Sequence, residues 1–364
     1  MTYSAAIIGA GPAGCAAAIA LTQTGHNVLL IEASAFPRHR PGESLHPGVE
    51  PIFKTLGIDE AINAAGFLRY PGHRVAWRAS EPNNNKPERL EKFGQDAGGD
   101  WLGYQAWRPT LDQILLDAAI TRGVTVWQPC RVKAAIIENN QLTGLSTGRG
   151  LVQADYFLDA SGQSQWLSRQ LGITTTAYSP TMRARFGYVA CEAGEHPFDI
   201  PLIRSESDGW SWIARVREDR CAWSRMRLGQ GKSDENWRPE ELADCVPVGK
   251  TKGVDVTWRL SDRTAGDNWF LLGDAAAVLD PAASHGVLKS LMSGMQAAHA
   301  IAACTSGKVT AEKAAQGYSQ WLGDWFKSDV ERMEELYHIG QINHPANKRA
   351  HPRSNHVSAT HQAA

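Results

Sequence analysis

No apolar run in the sequence approaches the roughly 18 residues of a membrane-spanning helix, so no spanning segment is expected. There is no excess of positive charge either. The 37 Lys and Arg face 38 Asp and Glu, a formal net charge of −1, which argues against a nucleic-acid partner. The six cysteines are scattered and none forms a C-x-x-C pair, so neither a zinc site nor a dithiol motif is suggested, and no metal is expected. Met1-Thr2-Tyr3-Ser4 runs into an apolar strand without the regions of a secretory signal, so a cytoplasmic location with free thiols is expected. No internal repeat is present. The 43% hydrophobic and 21% charged composition excludes wholesale disorder.

One residue type is abundant: there are 13 Trp. Two readings stand: large rings in an ordinary core, or an aromatic wall around a flat cofactor or substrate.

The first 32 residues carry the clearest pattern. Ser4–Ile8 is a short apolar run that reads as a buried strand. Gly9-Ala10-Gly11-Pro12-Ala13-Gly14 follows, then an Ala-rich helix over Cys15–Thr24 stopped by Gly25, then a strand over Asn27–Glu32. Strand, G-x-G-x-x-G turn, helix, second strand and terminal acid in that order make a dinucleotide fingerprint. Gly9 permits the turn, Gly11 lets backbone approach a pyrophosphate, and Gly14 lets the helix lie against the sheet. Glu32 stands where a carboxylate meets ribose hydroxyls. No second fingerprint for NAD(P)H is visible.

Further along, helices are expected over Gly48–Leu56 and Pro109–Arg122, and strands over Thr125–Trp127 and Tyr156–Asp159 with a hairpin between them. Ser80–Gly99 reads as a long polar loop. Arg183–Cys191, Gly209–Val216, Cys221–Leu228 and Asp255–Arg259 read as strands of a mixed sheet with a binding face. Trp269–Leu272 is a strand, a helix begins near Val287, and Ala311–Ile339 has helical periodicity. Gln341–Ala364 is polar and aperiodic and reads as a disordered tail.

Several segments resemble the FAD monooxygenase superfamily that includes aromatic hydroxylases, geranylgeranyl reductases and flavin-dependent halogenases. They are the fingerprint (with Pro12 and Ala13), Trp107-Arg108-Pro109, Asp159-Ala160-Ser161-Gly162, and Gly273-Asp274 followed by Pro281-Ala282-Ala283-Ser284-His285-Gly286-Val287. The resemblance implies an α/β fold: a Rossmann-like FAD-binding domain of the aromatic hydroxylase and glutathione-reductase type, a mixed β-sheet substrate domain and a C-terminal helix. It implies that Asp274 holds the ribitol, that Arg108 and Asp159 lie near FAD, and that Gly273, Pro281, Gly286 and Val287 border the flavin. For Asp274 a plain helix cap, and for Arg108 a surface arginine, remain the alternatives.

The expected division assigns residues 1–74, 102–175 and 262–308 to the FAD-binding domain. Residues 75–101 and 176–261 form a substrate or partner domain, 309–340 a helical segment and 341–364 the tail.

Phe36-Pro37-Arg38-His39-Arg40-Pro41-Gly42-Glu43-Ser44-Leu45 resembles a loop of the tryptophan-halogenase-like branch and brings Arg40, Glu43 and Ser44 to the cofactor set. Gly209-Trp210-Ser211-Trp212-Ile213 resembles that branch's Trp-x-Trp motif, with Ala214 where proline is expected. Two departures argue against halogenation. Arg69 stands where the halogenase lysine is expected, and an arginine does not readily release its proton. Ser284-His285-Gly286 replaces the halide-side pattern. The whole set is most similar to the LodB/GoxB-type flavoproteins that mature cysteine tryptophylquinone amino-acid oxidases.

That likeness implies an FAD-dependent monooxygenase hydroxylating a tryptophan of a partner, the precursor of a quinoprotein amino-acid oxidase. O2 is the co-substrate, electrons come from NAD(P)H or a flavin reductase, and the enzyme is a monomer or weak dimer. A small-molecule aromatic hydroxylase or halogenase, a geranylgeranyl-reductase-like enzyme and a non-enzymatic chaperone are the alternatives. His285 and Lys289 are the catalytic candidates: His285 titrates near neutrality, or else is a packing residue. Lys289, one helical turn on, meets the flavin or is solvated. Trp210 and Trp212 share a strand face and shield the substrate side or simply fill the core.

Overall fold

The computed structural model describes residues 2–77, 88–139, 141–192, 194, 196–206, 208–229, 237–339 and 342. The tail expected over 341–364, except Ile342, and residues 80–87 of the expected polar loop lie outside them.

The core sheet is built from short apolar strands. Thr125–Trp127, Val28–Ile31, Tyr3–Ile8, the C-terminal half of Gly150–Asp159, and Trp269–Leu271 lie side by side, all parallel. Ile7 pairs with Leu30 on one side and Leu158 on the other. Both faces of this parallel sheet are covered, with Leu142, Leu145 and Val152 of the neighbouring hairpin strands in the same core as the helices, which is why Ala5, Ala6, Ile7, Leu29 and Leu30 are all buried. Truncating one such leucine to alanine would cost about 2–5 kcal/mol. The N-terminal half of Gly150–Asp159 leaves this layer to pair with the hairpin Val132–Glu138/Gln141–Thr147.

The first helix, Pro12–Gln23, starts three residues earlier than the periodicity indicates. Pro12 occupies its first turn, where a missing N–H costs nothing. It packs on the helix Gly286–Thr305 so closely that a Cβ at Gly294 would collide with the Ala13 carbonyl.

A second sheet of seven strands runs Pro247–Asp255, Met182–Ala190, Arg220–Leu228, Gly209–Arg217, Leu202–Glu206, Gly72–Ala76, Arg89–Lys92. All its neighbours are antiparallel except Leu202–Glu206 with Gly72–Ala76. Gly72–Ala76 therefore runs across the boundary expected at 74/75. The expected strand Asp255–Arg259 is not formed: a strand ends at Asp255, whose carboxylate accepts from Thr257 N at 2.9 Å and turns the chain. The described part of the expected polar loop holds strand Arg89–Lys92 and a small hairpin, Gln95–Asp96 with Gly99–Asp100.

Strand Gly209–Arg217 is covered on both faces. Trp210, Trp212, Ala214 and Val216 belong to the core facing the first domain. Ile213 on the reverse joins a smaller core with Val189, Phe198, Leu202, Cys221 and Trp223. The helix Ala311–Ile339 ties the layers together. Tyr318 and Leu322 enter the core of the first sheet, while Phe326, Val330, Met333 and Tyr337 enter that of the second. Among the described residues no helix is long and apolar enough to cross a membrane.

Candidate active site

Between the two sheets lies a cavity of about 920 Å³. Its floor is the glycine-rich turn. Gly9 has φ +102°, and a Cβ there would strike the Ala160 carbonyl; a Cβ at Gly14 would strike Gly9 O. These two glycines are required by the fold itself. Gly11 differs: its φ is ordinary, −73°, and the nearest atom to an added Cβ would be an Arg38 nitrogen at 3.6 Å. Gly11, Pro12 and Ala13 line the cavity, whereas Gly14 is packed between helix and strand and does not. Glu32 lines it too. Its carboxylate accepts from Ala10 N at 2.9 Å and Ser34 N at 2.8 Å, so it braces the turn as well as facing the space.

Buried ion pairs make the next wall. Arg108, at the start of the helix Arg108–Thr121, reaches both oxygens of Asp112 at 2.9 and 3.1 Å and donates to the Pro41 carbonyl at 2.6 Å. It is a buried arginine with its charge compensated, not a surface one. Arg38 lies 3.2 Å from Asp112 and 3.9 Å from Glu32, with its Nε unpartnered. Glu43 is buried; it accepts from Gly42 N at 2.9 Å and from the Tyr188 hydroxyl at 2.5 Å. Burial pushes its pKa up, opposed by Tyr188 and Arg108. Ser44 donates to Gln105 at 2.8 Å, and Arg40 is exposed at the cavity mouth.

Asp159 does not line the cavity. Its oxygens accept from Ser161 N at 2.9 Å and Leu167 N at 2.7 Å, so it shapes the chain behind the cavity wall. Gly273 and Asp274 do line it. Asp274 hydrogen-bonds to no described residue; burial raises its pKa, while Arg259 and Arg108 act in the other direction. The loop Pro281–Ser284 then leads into the helix Gly286–Thr305, whose first-turn N–H groups open onto the same space. A Cβ at Gly286 would meet nothing within 4 Å.

The roof is aromatic. Trp210 and Trp212 face the cavity, and Trp210 Nε1 donates to Asp280 at 3.1 Å. Asp280 also accepts from Ala282 N at 2.8 Å and from the Tyr337 hydroxyl, and burial raises its pKa to about 6. His285 lines the cavity with His46 edge-on behind it at 5.1 Å, and His73 stands edge-on to Trp212 at 5.0 Å. His46 Nδ1 accepts from Gly48 N at 3.0 Å.

One expectation, for His285, is corrected here, and one of the two alternatives for Lys289 drops out. Burial, then Lys289, His46, Arg332 and His73, pulls the His285 pKa down to about 3, so it does not titrate near neutrality but stands as a neutral imidazole. Lys289 is not solvated: its ammonium pairs with Asp329 and lies 3.9 Å over the Trp325 ring. Burial lowers its pKa to about 7.

Arg69 is turned away from the cavity, donating to the carbonyls of Gly103 at 3.1 Å and Leu102 at 2.9 Å and to Glu50 at 3.2 Å. Tyr188 lines the cavity, and Asp112, His46 and His73 stand behind its wall; none of the four was assigned a role from sequence, although Asp112 follows the Trp-Arg-Pro segment. His46 directly follows the Gly-Glu-Ser-Leu segment and was legible there; Tyr188 and His73 sit in strands with no motif around them.

Residues 2–319 match the family model described as FAD binding domain. The chain belongs to that family. Its cofactor is FAD, and the enzyme is an FAD-dependent oxidoreductase. The residues fit the group on three counts: the unpartnered Asp274 carboxylate, the free space above Gly11, and the helix N-terminus at Gly286. The chain is 29% identical over 334 residues to the 1H-pyrrole-2-carbonyl-(peptidyl-carrier protein) brominase of Pseudoalteromonas luteoviolacea, covering 84% of this chain and 79% of that one. A triple mutant of a flavin-dependent brominase superposes with TM-score 0.78 at 25% identity over 93% of this chain and 90% of that chain. A peptidyl tryptophan dihydroxylase essential for tryptophylquinone cofactor biogenesis shares the fold with TM-score 0.72 at 22% identity, over 94% and 76%.

Proposed function

We propose that this flavoprotein is a monooxygenase that hydroxylates a tryptophan side chain of a partner protein, the precursor of a cysteine tryptophylquinone amino-acid oxidase. In this reading Gly9, Gly11, Pro12, Ala13 and Glu32 serve the adenosine and pyrophosphate part of FAD. Arg40, Glu43, Ser44 and Arg108 flank it, and Asp274 takes the ribitol. Pro281, Gly286 and Val287 border the ring, while Gly14 and Asp159 act by holding the backbone. FAD supplies two-electron chemistry with O2. One oxygen atom goes to an indole carbon and the other leaves as water, with NAD(P)H or a flavin reductase as the electron source. His285, neutral, holds a hydrogen bond at the reacting face; Trp210 and Trp212 exclude water from it.

The observation that carries hydroxylation over halogenation is the position of Arg69, pinned to main-chain carbonyls outside the cavity. Lys289, in the cavity wall, has its charge held by Asp329. The second reading, a halogenase, is favoured by the sequence relatives. The brominase acts on an aromatic ring carried by a protein, and the dihydroxylase on a peptidyl tryptophan. A protein-presented aromatic ring is thus common to both readings.

The deciding experiment co-expresses the chain with a quinoprotein amino-acid oxidase precursor, with and without bromide, and measures intact mass. One or two added oxygen atoms at a single tryptophan support hydroxylation. An added bromine supports the second reading, and an unmodified partner sinks the first.

A further inference from the structure

On the reverse face of strand Gly209–Arg217, away from Trp210 and Trp212, the second sheet gathers three side chains that the flavin chemistry does not use. Cys191 directly follows strand Met182–Ala190, His196 lies in the loop after it, and Cys221 lies in the neighbouring strand Arg220–Leu228. The antiparallel pairing of those strands places Val189 opposite Cys221 and so draws the thiols together. The two Sγ atoms and an imidazole nitrogen lie within 4.8 Å of one another, with Cys221 Sγ at 3.9 Å from the His196 ring nitrogens. Tetrahedral zinc with Zn–S near 2.3 Å and Zn–N near 2.0 Å needs ligand atoms about 3.5–3.8 Å apart. The cluster is within a side-chain adjustment of that spacing. Cys245 packs against the same small core but lies outside that group of three, so serving as a fourth ligand requires its side chain to move toward Cys221.

We propose that Cys191, His196, Cys221 and Cys245 bind one zinc ion as a structural Cys3His site on the back of the substrate sheet. Three thiolates and Zn²⁺ leave one net negative charge. Arg215 is buried beside the cluster, paired with Asp199 at 3.0 Å and donating to the carbonyls of Gly194 at 2.5 Å, Glu218 at 2.9 Å and Arg217 at 3.2 Å. It thereby fixes the loop carrying His196 and the turn before Cys221. His196 Nδ1 now accepts from Phe198 N at 3.3 Å, a long hydrogen bond that ligation replaces at little cost. Metal binding releases the thiol protons and ties the loop after Ala190 to the sheet. No part of the site faces the flavin cavity, so its role is to hold the scaffold behind Trp210 and Trp212.

The test is zinc content by mass spectrometry of the FAD-loaded full chain, purified without chelator from zinc-supplemented medium. The wild type and Cys304→Ser are expected to carry close to one zinc per chain. Cys191→Ser, Cys221→Ser and His196→Ala should carry several-fold less. Cobalt-substituted wild type should show thiolate-to-cobalt charge-transfer bands, and Cys245→Ser should weaken them. Should the variants fail to fold, alkylation of the wild type decides. Cys191, Cys221 and Cys245 are expected to resist reagent until a chelator is added, while Cys304 does not change. A wild type without zinc, or with a Cys191–Cys221 disulfide, overturns the proposal. An unchanged cobalt spectrum in Cys245→Ser overturns the four-ligand assignment.

Discussion

Replacing Asp274 with alanine should act in opposite directions on the empty and the FAD-bound protein. In the empty protein this carboxylate is half-buried on the cavity wall beside Gly273, hydrogen-bonds to no described side chain, and has its pKa raised by desolvation. Removing it relieves a desolvation cost that nothing in the protein offsets fully, so the alanine form without FAD should unfold at a higher temperature than the wild type. With FAD the sign reverses. A ribitol hydroxyl donating to a carboxylate contributes roughly 1.5–3 kcal/mol. At about 1.4 kcal/mol per tenfold, alanine should weaken FAD binding about 10- to 150-fold. The thermal shift on adding FAD therefore shrinks from both ends. Flavin fluorescence titration of deflavinated protein gives the affinities, and thermal unfolding with and without FAD gives the shifts. Equal FAD affinity in both proteins would refute the assignment. An alanine form less stable when empty, with unchanged affinity, would show instead that the carboxylate is a structural cap.

Gly11→Val should lose FAD yet fold, because its side chain enters free space; Gly14→Val should reduce soluble yield and stability even with FAD present, because its Cβ meets main chain. Similar losses of fold in both would show that Gly11 is structural. Asp280, raised to about 6 by burial against about 3.9 when unfolded, favours the protonated folded state. Its stabilising contribution is complete below about pH 3.9 and disappears as pH rises through about 6. Urea unfolding should lose about 1 kcal/mol between about pH 5 and pH 7 through this group, and Asp280→Asn should not show that component. Incubation with NADH, a flavin reductase, O2, bromide and free tryptophan should yield no bromotryptophan; a clear brominated product would favour the halogenase reading. His285→Ala should keep FAD but leave the partner tryptophan markedly less oxygenated, and full modification would make His285 a packing residue.

The first domain was legible because its function is written in local chemistry. A tight turn demands Gly9, close packing demands Gly14, and a helix entry accommodates Pro12, so the fingerprint shows in consecutive residues. The second domain was legible only as a set of strands. Its pairing joins Leu202–Glu206 to Gly72–Ala76, distant segments whose partnership no local pattern records. Asp255 was misread for a physical reason: the same Asp-Val-Thr-Trp run suits a strand or a turn, and the Asp255 hydrogen bond to Thr257 N selects the turn. His285 lines the cavity, and its lowered pKa comes from burial together with Lys289, His46, Arg332 and His73, which converge only in three dimensions. The group of Cys191, His196 and Cys221 was invisible for a similar reason, since the two cysteines lie in or directly after separate strands and meet only through their pairing.

The helix Ala311–Ile339 follows both sheets in chain order and fills a groove in each. During vectorial synthesis the roof carrying Trp210 and the floor carrying Gly11 both emerge before this helix can join their cores, with the Tyr188–Glu43 hydrogen bond and Trp107 as the earlier links between them. Tyr337, which meets the carboxylate shared with Trp210, emerges later still. Until this helix docks, the core around Trp210 lacks Phe326, Val330, Met333 and Tyr337, and its apolar face stays open to solvent. Completing the cavity is therefore the business of the last described helix.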